Sequence, residues 1–340
     1  MKIYLKQSVI ISVVVATAIG VSGFYVGEHI QYTQDVSVFN TIHPVREQGT
    51  LYTLISPLLG YSIPSDLSQN EYSSRLMLVQ SVINNAKKSG DIDNVSVYYR
   101  DLNTNHWFGV DQAHQYYPAS LLKVPIMIAY FQKAEKNASI LRHLLTLVPL
   151  PANQSTEFDN PSVLISGKAY SVSRLIQAMI TESDNGAMAT LFSYLNSVDA
   201  KALDDVYGNL GIQGPDDNSS ANYQISARVY GWFFRILYNA TYISPELSEK
   251  ALGLLSEATF KDGIVDGVPS GITVAHKYGE HIITDGTVVS AVQMHDCGVV
   301  YAKEGPYLLC VMTQTKSEEA STKLIQDISR IIYLDVSKGK

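Results

Sequence analysis

The 340-residue chain has few cysteines, little charge and no excess of basic residues. Its two cysteines exclude a framework of several disulfides and a zinc site built from four thiolates. Charged residues make up 17% of the chain and hydrophobic residues 46%, which argues against disorder and against a coiled coil. The net charge of −7 argues against a nucleic-acid partner, because such proteins need a cationic surface to neutralise phosphates.

Metal-ligand spacing is absent as well. No two of the eight histidines are four positions apart, the spacing that places both on one helix face, and His276 and His281 lie five positions apart. We therefore expect neither a metal nor another cofactor.

The two cysteines lie on either side of a predicted turn. Alternating apolar residues over 288–301 and 307–313 predict a β-hairpin. If the turn is centred on Glu304-Gly305, Cys297 and Cys310 lie diagonally on one face of the hairpin. Because that separation is marginal for a bridge, we predict two buried thiols, with a disulfide as the less favoured alternative.

The amino terminus has the pattern of a membrane-targeting segment. Lys2 and Lys6 precede an uncharged run over residues 8–27, which as a helix would rise about 30 Å and cross a bilayer core. No lysine or arginine follows until Arg46, so the positive-inside bias predicts a single-pass membrane protein with an extracytoplasmic domain. We favour an uncleaved signal anchor over a signal peptide that is cleaved at the small residues 16–18 to give a secreted protein.

The remaining chain divides into a spacer and one domain. Residues 1–27 are the signal anchor or signal peptide, and residues 28–70 are an extracytoplasmic spacer, apolar enough to pack on the domain. Residues 71–340 form the domain itself. Its order of elements is a helix, a hairpin, a helical middle, a second hairpin and a terminal helix over 318–333. This order predicts an α+β fold whose antiparallel sheet is built from strands at both ends of the chain.

A serine and a lysine one helical turn apart form the first candidate catalytic motif. In Ser120-Leu121-Leu122-Lys123, which opens an apolar helix, the hydroxyl and the amine share one helix face. A serine nucleophile needs a base, and a neutral lysine amine at this spacing can serve. Amide groups at the start of a helix can also stabilise an oxyanion. Taken alone, the motif favours the structural alternative, in which Ser120 is a helix N-cap.

Two further motifs follow along the chain. Ser183-Asp184-Asn185 lies between two amphipathic helices, where polar side chains can project into a cleft. The alternative is a helix end followed by an N-cap at Asp184 or Asn185. Lys277-Tyr278-Gly279 lies on a predicted edge strand, and the alternative there is an exposed lysine.

In this order, the three motifs resemble the active-site set of the penicillin-recognising serine enzymes, the class A β-lactamases and the DD-peptidases. The resemblance covers most of residues 71–335. It implies a β-lactamase/transpeptidase-like fold, with an antiparallel sheet flanked by helices and a helical subdomain. It also implies a serine hydrolase that works through an acyl-enzyme without a cofactor.

The resemblance implies roles for the residues of the first two motifs. Ser120 is the nucleophile that becomes acylated, and Lys123 is the candidate base. Ser183 relays a proton to the leaving nitrogen. Asn185 holds the substrate amide and orients Lys123.

For the third motif, the resemblance implies substrate binding. Lys277 supplies positive charge for the substrate carboxylate, beside Tyr278 and Gly279, and the backbone N–H of Glu280 forms the oxyanion hole with that of Ser120. The family normally has threonine or serine where this chain has Tyr278. A phenol places its oxygen further out, so we expect Tyr278 to line the pocket and to change the acyl group admitted.

A second departure concerns hydrolysis of the acyl-enzyme. Class A β-lactamases carry, between the second and third motifs, a loop glutamate that activates water, whereas this chain has no glutamate between Glu182 and Glu246. The corresponding stretch offers only Asp216 and Asp217, whose carboxylates are one methylene shorter. Loss of the general base slows hydrolysis by about a hundredfold or more.

These observations predict an exported acyl-transfer enzyme that acts on cell-wall D-alanyl peptides or related amides, with β-lactams as mimics. The first alternative is a class A β-lactamase. The second is a non-catalytic binding module that keeps the fold without turnover.

Overall fold

The computed structural model describes residues 52–56, 69–149, 164–215 and 222–338. The predicted signal segment at 1–27 and most of the predicted spacer lie outside these residues. Among the helices that the structure describes, none is long and apolar enough to cross a membrane.

A five-stranded antiparallel sheet of order β2-β1-β9-β8-β7 forms the centre of the domain. Two short ladders, β3 with β6 and β4 with β5, accompany it. The strands are β1 (Ile92–Asp101), β2 (Trp107–Val110), β3 (Gln115–Tyr116), β4 (Leu144–Thr146), β5 (Ala169–Ser171), β6 (Ile225–Ser226), β7 (Val274–Asp285), β8 (Val288–Ala302) and β9 (Gly305–Thr315).

Helices cover both faces of the sheet. They are α1 (Gln69–Ala86), α2 (Lys123–Lys136), α3 (Val172–Thr181), α4 (Asn185–Val198), α5 (Ala202–Asn209), α6 (Ala227–Asn239), α7 (Pro245–Ser256) and α8 (Glu318–Val336). Helices α1 and α8, from the two ends of the domain, pack on one face, while α2 to α7 build the other side and the helical subdomain.

The sheet separates two hydrophobic cores because side chains alternate along each strand. On β9, Leu309 and Val311 belong to the core under α1 and α8, whereas Leu308 and Met312 belong to the core under α2 and α6. The predicted α+β architecture, with a sheet drawn from both ends of the chain, is therefore confirmed.

The prediction of two unpaired thiols is wrong, since Cys297 and Cys310 form a disulfide. The turn of the hairpin lies at residues 303–304, one residue earlier than expected, with Ala302 opposite Gly305. This one-residue displacement changes each pairing by two residues, so the cysteines lie directly opposite each other rather than diagonally. Gly305 has a φ of +147°, which suits glycine at the end of so tight a turn.

Residues 52–56, which fall in the predicted spacer, contact the second half of the domain. The carboxylate of Glu249 on α7 accepts hydrogen bonds from the backbone N–H groups of Thr53, Leu54 and Ile55. The Ser56 N–H donates to the carbonyl of Tyr238 at the end of α6.

Candidate active site

Ser120 lies in a short 3₁₀ turn, Ala119–Leu122, that leads directly into α2. The N-cap of α2 is Leu122, and Ser120 makes no capping hydrogen bond, so the structural alternative for Ser120 is wrong. Ala119 has a φ of +48°, a conformation that is costly for a residue with a side chain and that recurs at functional sites. The buried Tyr230 hydroxyl on α6 donates to the Leu121 carbonyl at 2.9 Å, and this hydrogen bond holds the turn against α6.

Lys123 is fully buried at the start of α2, and its amine meets both of the first two motifs. Its Nζ lies 2.9 Å from Ser120 Oγ, 2.9 Å from Ser183 Oγ and 2.7 Å from Asn185 Oδ1. It also contacts the carbonyl oxygen of Ser183. Two of these four oxygens are carbonyl-type acceptors, and the other two belong to hydroxyls, which can also donate to nitrogen. Such a site can hold a neutral amine that donates to two of the oxygens and accepts from a hydroxyl.

Ser183 occupies a left-handed backbone conformation, with a φ of +58°, just after α3 ends. Glycine is the usual residue at such a position, so the serine carries a conformational cost that turns its side chain towards the two lysines. The neighbouring Asp184 caps α4, because its Oδ1 accepts the Ala187 N–H at 2.6 Å. The capping alternative thus holds for Asp184, whereas Asn185 points to Lys123.

Lys277 is fully buried, so the alternative of an exposed lysine on an edge strand is wrong. Its Nζ donates to Ser183 Oγ and to the Tyr278 carbonyl, each at 3.0 Å. Burial lowers the pKa of Lys277 well below its usual range, and the nearby Lys123 adds to this shift. Asp296 opposes it.

Tyr278 is mostly buried and stacks on Phe260, with ring centroids 4.1 Å apart. The Lys277 Nζ lies 4.1 Å from the centre of the Tyr278 ring, which places the amine against the aromatic face. Phe260 was not anticipated from the sequence, since nothing in its local pattern ties it to the third motif.

Gly279 allows β7 to approach the nucleophile turn. A Cβ at this position would lie 2.8 Å from the Pro118 carbonyl oxygen, too close for a side chain, and 3.2 Å from the Leu121 nitrogen, a tight contact. The strand therefore runs against the segment that carries Ser120. Glu280, the next residue of β7, is largely buried.

Two further side chains on β8 support the segment before Ser120, and the motifs gave no signal for them. Gln293 Oε1 accepts the Tyr117 N–H at 3.1 Å, and His295 Nε2 lies 3.0 Å from the Tyr117 carbonyl oxygen. Burial lowers the pKa of His295 to about 4, so the ring is neutral and donates this hydrogen bond.

The third motif and the first two therefore meet around one hydroxyl, that of Ser183. Asp216 and Asp217, the proposed substitutes for the missing loop glutamate, lie outside the described residues. In the part of the chain that the structure describes, no group of three or more histidine, cysteine, aspartate or glutamate side chains could hold a metal ion.

The chain is similar to proteins of known structure over most of its length. PBP-A is 21% identical, with a TM-score of 0.61 over 77% of this chain and 96% of that protein. The TLA-1 extended-spectrum β-lactamase is 18% identical, with a TM-score of 0.65 over 77% of this chain and 98% of that one. A class A β-lactamase representative from Bacteroides cellulosilyticus is 17% identical, with a TM-score of 0.64 over 77% of this chain and 99% of its own.

These structural similarities show the fold. The family is shown by the sequence itself. No curated protein matches the chain. The model of the β-lactamase enzyme family matches residues 78–336, which include all three motifs and every strand of the central sheet. This protein therefore belongs to the β-lactamase enzyme family and has the β-lactamase/transpeptidase-like fold.

Proposed function

We propose that this protein is an exported serine acyl-transfer enzyme that forms an acyl-enzyme at Ser120 with cell-wall D-alanyl peptides or related amides. One observation carries the proposal: the Lys123 amine lies 2.9 Å from both Ser120 Oγ and Ser183 Oγ. A base within hydrogen-bond reach of a nucleophile, itself oriented by further groups, is the arrangement that nucleophilic catalysis requires.

In the proposed reaction, neutral Lys123 takes the Ser120 proton while Oγ bonds to the substrate carbonyl carbon. The carbonyl oxygen becomes an oxyanion that accepts hydrogen bonds from the backbone N–H groups of Ser120 and Glu280. The C–N bond then breaks, and Ser183 gives its hydroxyl proton to the leaving nitrogen. The proton held on Lys123 passes to Ser183 and restores the neutral amine.

The charge of the site and the family both support this substrate class. Protonated Lys277 would attract a substrate carboxylate, which D-alanyl peptides and penicillins both carry. A variant of PBP-A has been solved as an acyl-enzyme with penicillin G, and that protein is among those similar to this chain. The phenol of Tyr278, stacked on Phe260, leaves no small hydroxyl for the carboxylate, so we propose an acyl or carboxylate group different from that of a typical penicillinase.

Export is part of the proposal. The uncharged run at 8–27 behind two lysines supports a single-pass anchor in the cell membrane. A buried Cys297–Cys310 disulfide also supports an extracytoplasmic domain, because such bridges persist in oxidising compartments.

The test is intact-mass analysis after incubation with a fluorescent penicillin. We expect a single covalent adduct on the wild-type chain, none on Ser120→Ala, and an unchanged adduct on the control Ser197→Ala, which alters an exposed serine. Labelling that survives in Ser120→Ala contradicts the assignment. Complete absence of an adduct on the wild type favours the non-catalytic module.

The lifetime of the adduct separates a peptidase-like enzyme from a β-lactamase. Without a loop glutamate, deacylation loses general-base assistance of roughly 10²–10⁴-fold, so we expect the adduct to last for minutes or longer. Turnover within seconds that is abolished by Asp216→Asn or Asp217→Asn would instead establish the β-lactamase alternative.

A further inference from the structure

A groove of about 600 Å³ lies beside the nucleophile segment and outside the site described above. Its described walls come from β3, from residues 210–214 and 222–226, and from the first turns of α6. The side chains that give it its chemistry are those of Gln115, Gln213, Asn222, Gln224, Arg228 and Trp232.

The groove combines an exposed indole with amide side chains. Trp232 is 40% exposed, and the Arg235 guanidinium lies 5.1 Å from its ring centre. Gln213, Asn222 and Gln224 are exposed, and their amides have no hydrogen-bond partner within the described part of the chain. Each amide offers both donors and an acceptor.

The charge of the described part of the groove's lining is also unusual for this chain. Its described lining residues include no carboxylate and one cation, Arg228, in a protein whose net charge is −7. The Arg228 guanidinium lies 4.7 Å from the ring centre of Trp107, which holds it at the rim of the groove. A ligand suited to this lining is polar, uncharged or weakly anionic, and has an apolar face for the indole.

The position of the groove connects it to Ser120. Gln115, on its wall, belongs to β3, which pairs with Ser226 at the start of α6. Ser120 is five positions after Gln115 in the chain, so their Cα atoms are at most about 18 Å apart. A ligand that fills the groove can therefore be part of the same molecule that reaches the nucleophile.

We infer that this groove binds a saccharide, the N-acetylated amino-sugar strand to which a D-alanyl peptide is attached, while the peptide extends to Ser120. This inference rests on the proposed function. Hydroxyl and acetamido groups match the exposed amides, and the apolar face of a sugar ring matches the indole. Arg228 would receive a carboxylate of the attached peptide.

The test is titration of the full-length chain with chitotetraose, a linear tetramer of N-acetylglucosamine. The protein is held in a polyoxyethylene detergent, because a sugar-headed detergent would compete. The chain has only two tryptophans, so emission reports on Trp107 and Trp232 alone. We expect saturable changes in emission for the wild type and for the control Trp107→Phe.

Calorimetry provides the second readout, because Trp232→Ala removes the fluorescent reporter itself. We expect at least about tenfold weaker binding in Trp232→Ala and about threefold to tenfold weaker binding in Gln224→Ala, which truncates an exposed side chain. Circular dichroism verifies that both variants fold. Absence of binding to the wild type, or equal binding to wild type and both variants, overturns the inference.

Two comparisons separate the remaining outcomes. If glycerol phosphate binds with dependence on Arg228 and chitotetraose does not bind, the groove is a site for anionic lipid headgroups and the inference is wrong. Acylation of Ser120 by penicillin is measured independently. If penicillin acylates the chain but chitotetraose does not bind, only the saccharide site is contradicted. If chitotetraose binds but the chain is never acylated, only the proposed function is contradicted.

Discussion

The imidazole of His276 and the carboxylate of Asp296 form a fully buried pair beside Lys277, with His276 Nδ1 2.8 Å from Asp296 Oδ1. The other carboxylate oxygen accepts the Ile264 N–H at 2.8 Å. Strand β8 pairs with β7 so that Asp296 is directly opposite Tyr278. The carboxylate is therefore on the strand next to the third motif. It is also the charge that opposes the lowered pKa of Lys277.

Asp296→Asn is expected to weaken both the fold and the site. An amide cannot accept from His276 and from Ile264 through both of its terminal atoms, so one buried donor loses its partner, at a cost of about 1–3 kcal/mol. Urea unfolding of the variant and of the control Asp204→Asn, an exposed aspartate, measures this cost. Equal midpoints for the two variants would show that the pair does not stabilise the domain. We also expect slower acylation, since removal of the carboxylate disfavours protonated Lys277.

Two substitutions of Ser183 separate the effect of its backbone conformation on stability from the effect of its hydroxyl on acylation. Both Ser183→Ala and Ser183→Gly remove the hydroxyl that lies between Lys123 and Lys277, so both are expected to slow acylation of Ser120 by about a hundredfold or more. Glycine adopts a φ of +58° without strain and alanine only at an energetic cost, so the glycine variant is expected to be more stable by about 1 kcal/mol. Acylation kinetics and thermal unfolding of the pair test both statements. Normal acylation in either variant would remove Ser183 from the mechanism.

Acid is expected to destabilise the domain through His295. Burial lowers the pKa of this imidazole from 6.5 to about 4. At a pH between these two values, the imidazole is protonated in the unfolded chain and neutral in the folded chain. The free energy of unfolding therefore falls as pH decreases through this window, by about 3 kcal/mol in total. His295→Gln keeps a donor for the Tyr117 carbonyl and removes the titration. Denaturant unfolding between pH 7 and pH 4 should show the variant losing less stability than the wild type, and parallel curves would contradict the assignment.

Glu249 is expected to hold residues 53–55 on α7. Glu249→Gln replaces a carboxylate that accepts three backbone N–H groups, so the segment should detach more readily and become sensitive to proteases. Limited proteolysis followed by mass analysis locates the cleavage. The matched control is Glu304→Gln, at an exposed turn. Equal cleavage rates for the two variants would show that Glu249 does not retain the segment.

The sequence alone determined the local parts of this protein. Ser120 and Lys123 lie one turn apart, so their meeting depends only on helix geometry, and the alternation along β8 and β9 predicts their hairpin. The order of the three motifs was sufficient to indicate the family and hence the fold.

The tertiary structure decided whatever depends on register or on contacts between distant segments. A one-residue difference in the turn position placed Cys297 opposite Cys310, and no alternation pattern fixes that position. Ser183 and Lys277 are 94 residues apart, and only the packing of β7 against the nucleophile turn buries the lysine and lowers its pKa. Burial and partner choice are properties of the assembled core, because desolvation acts on a side chain only after other segments have closed around it.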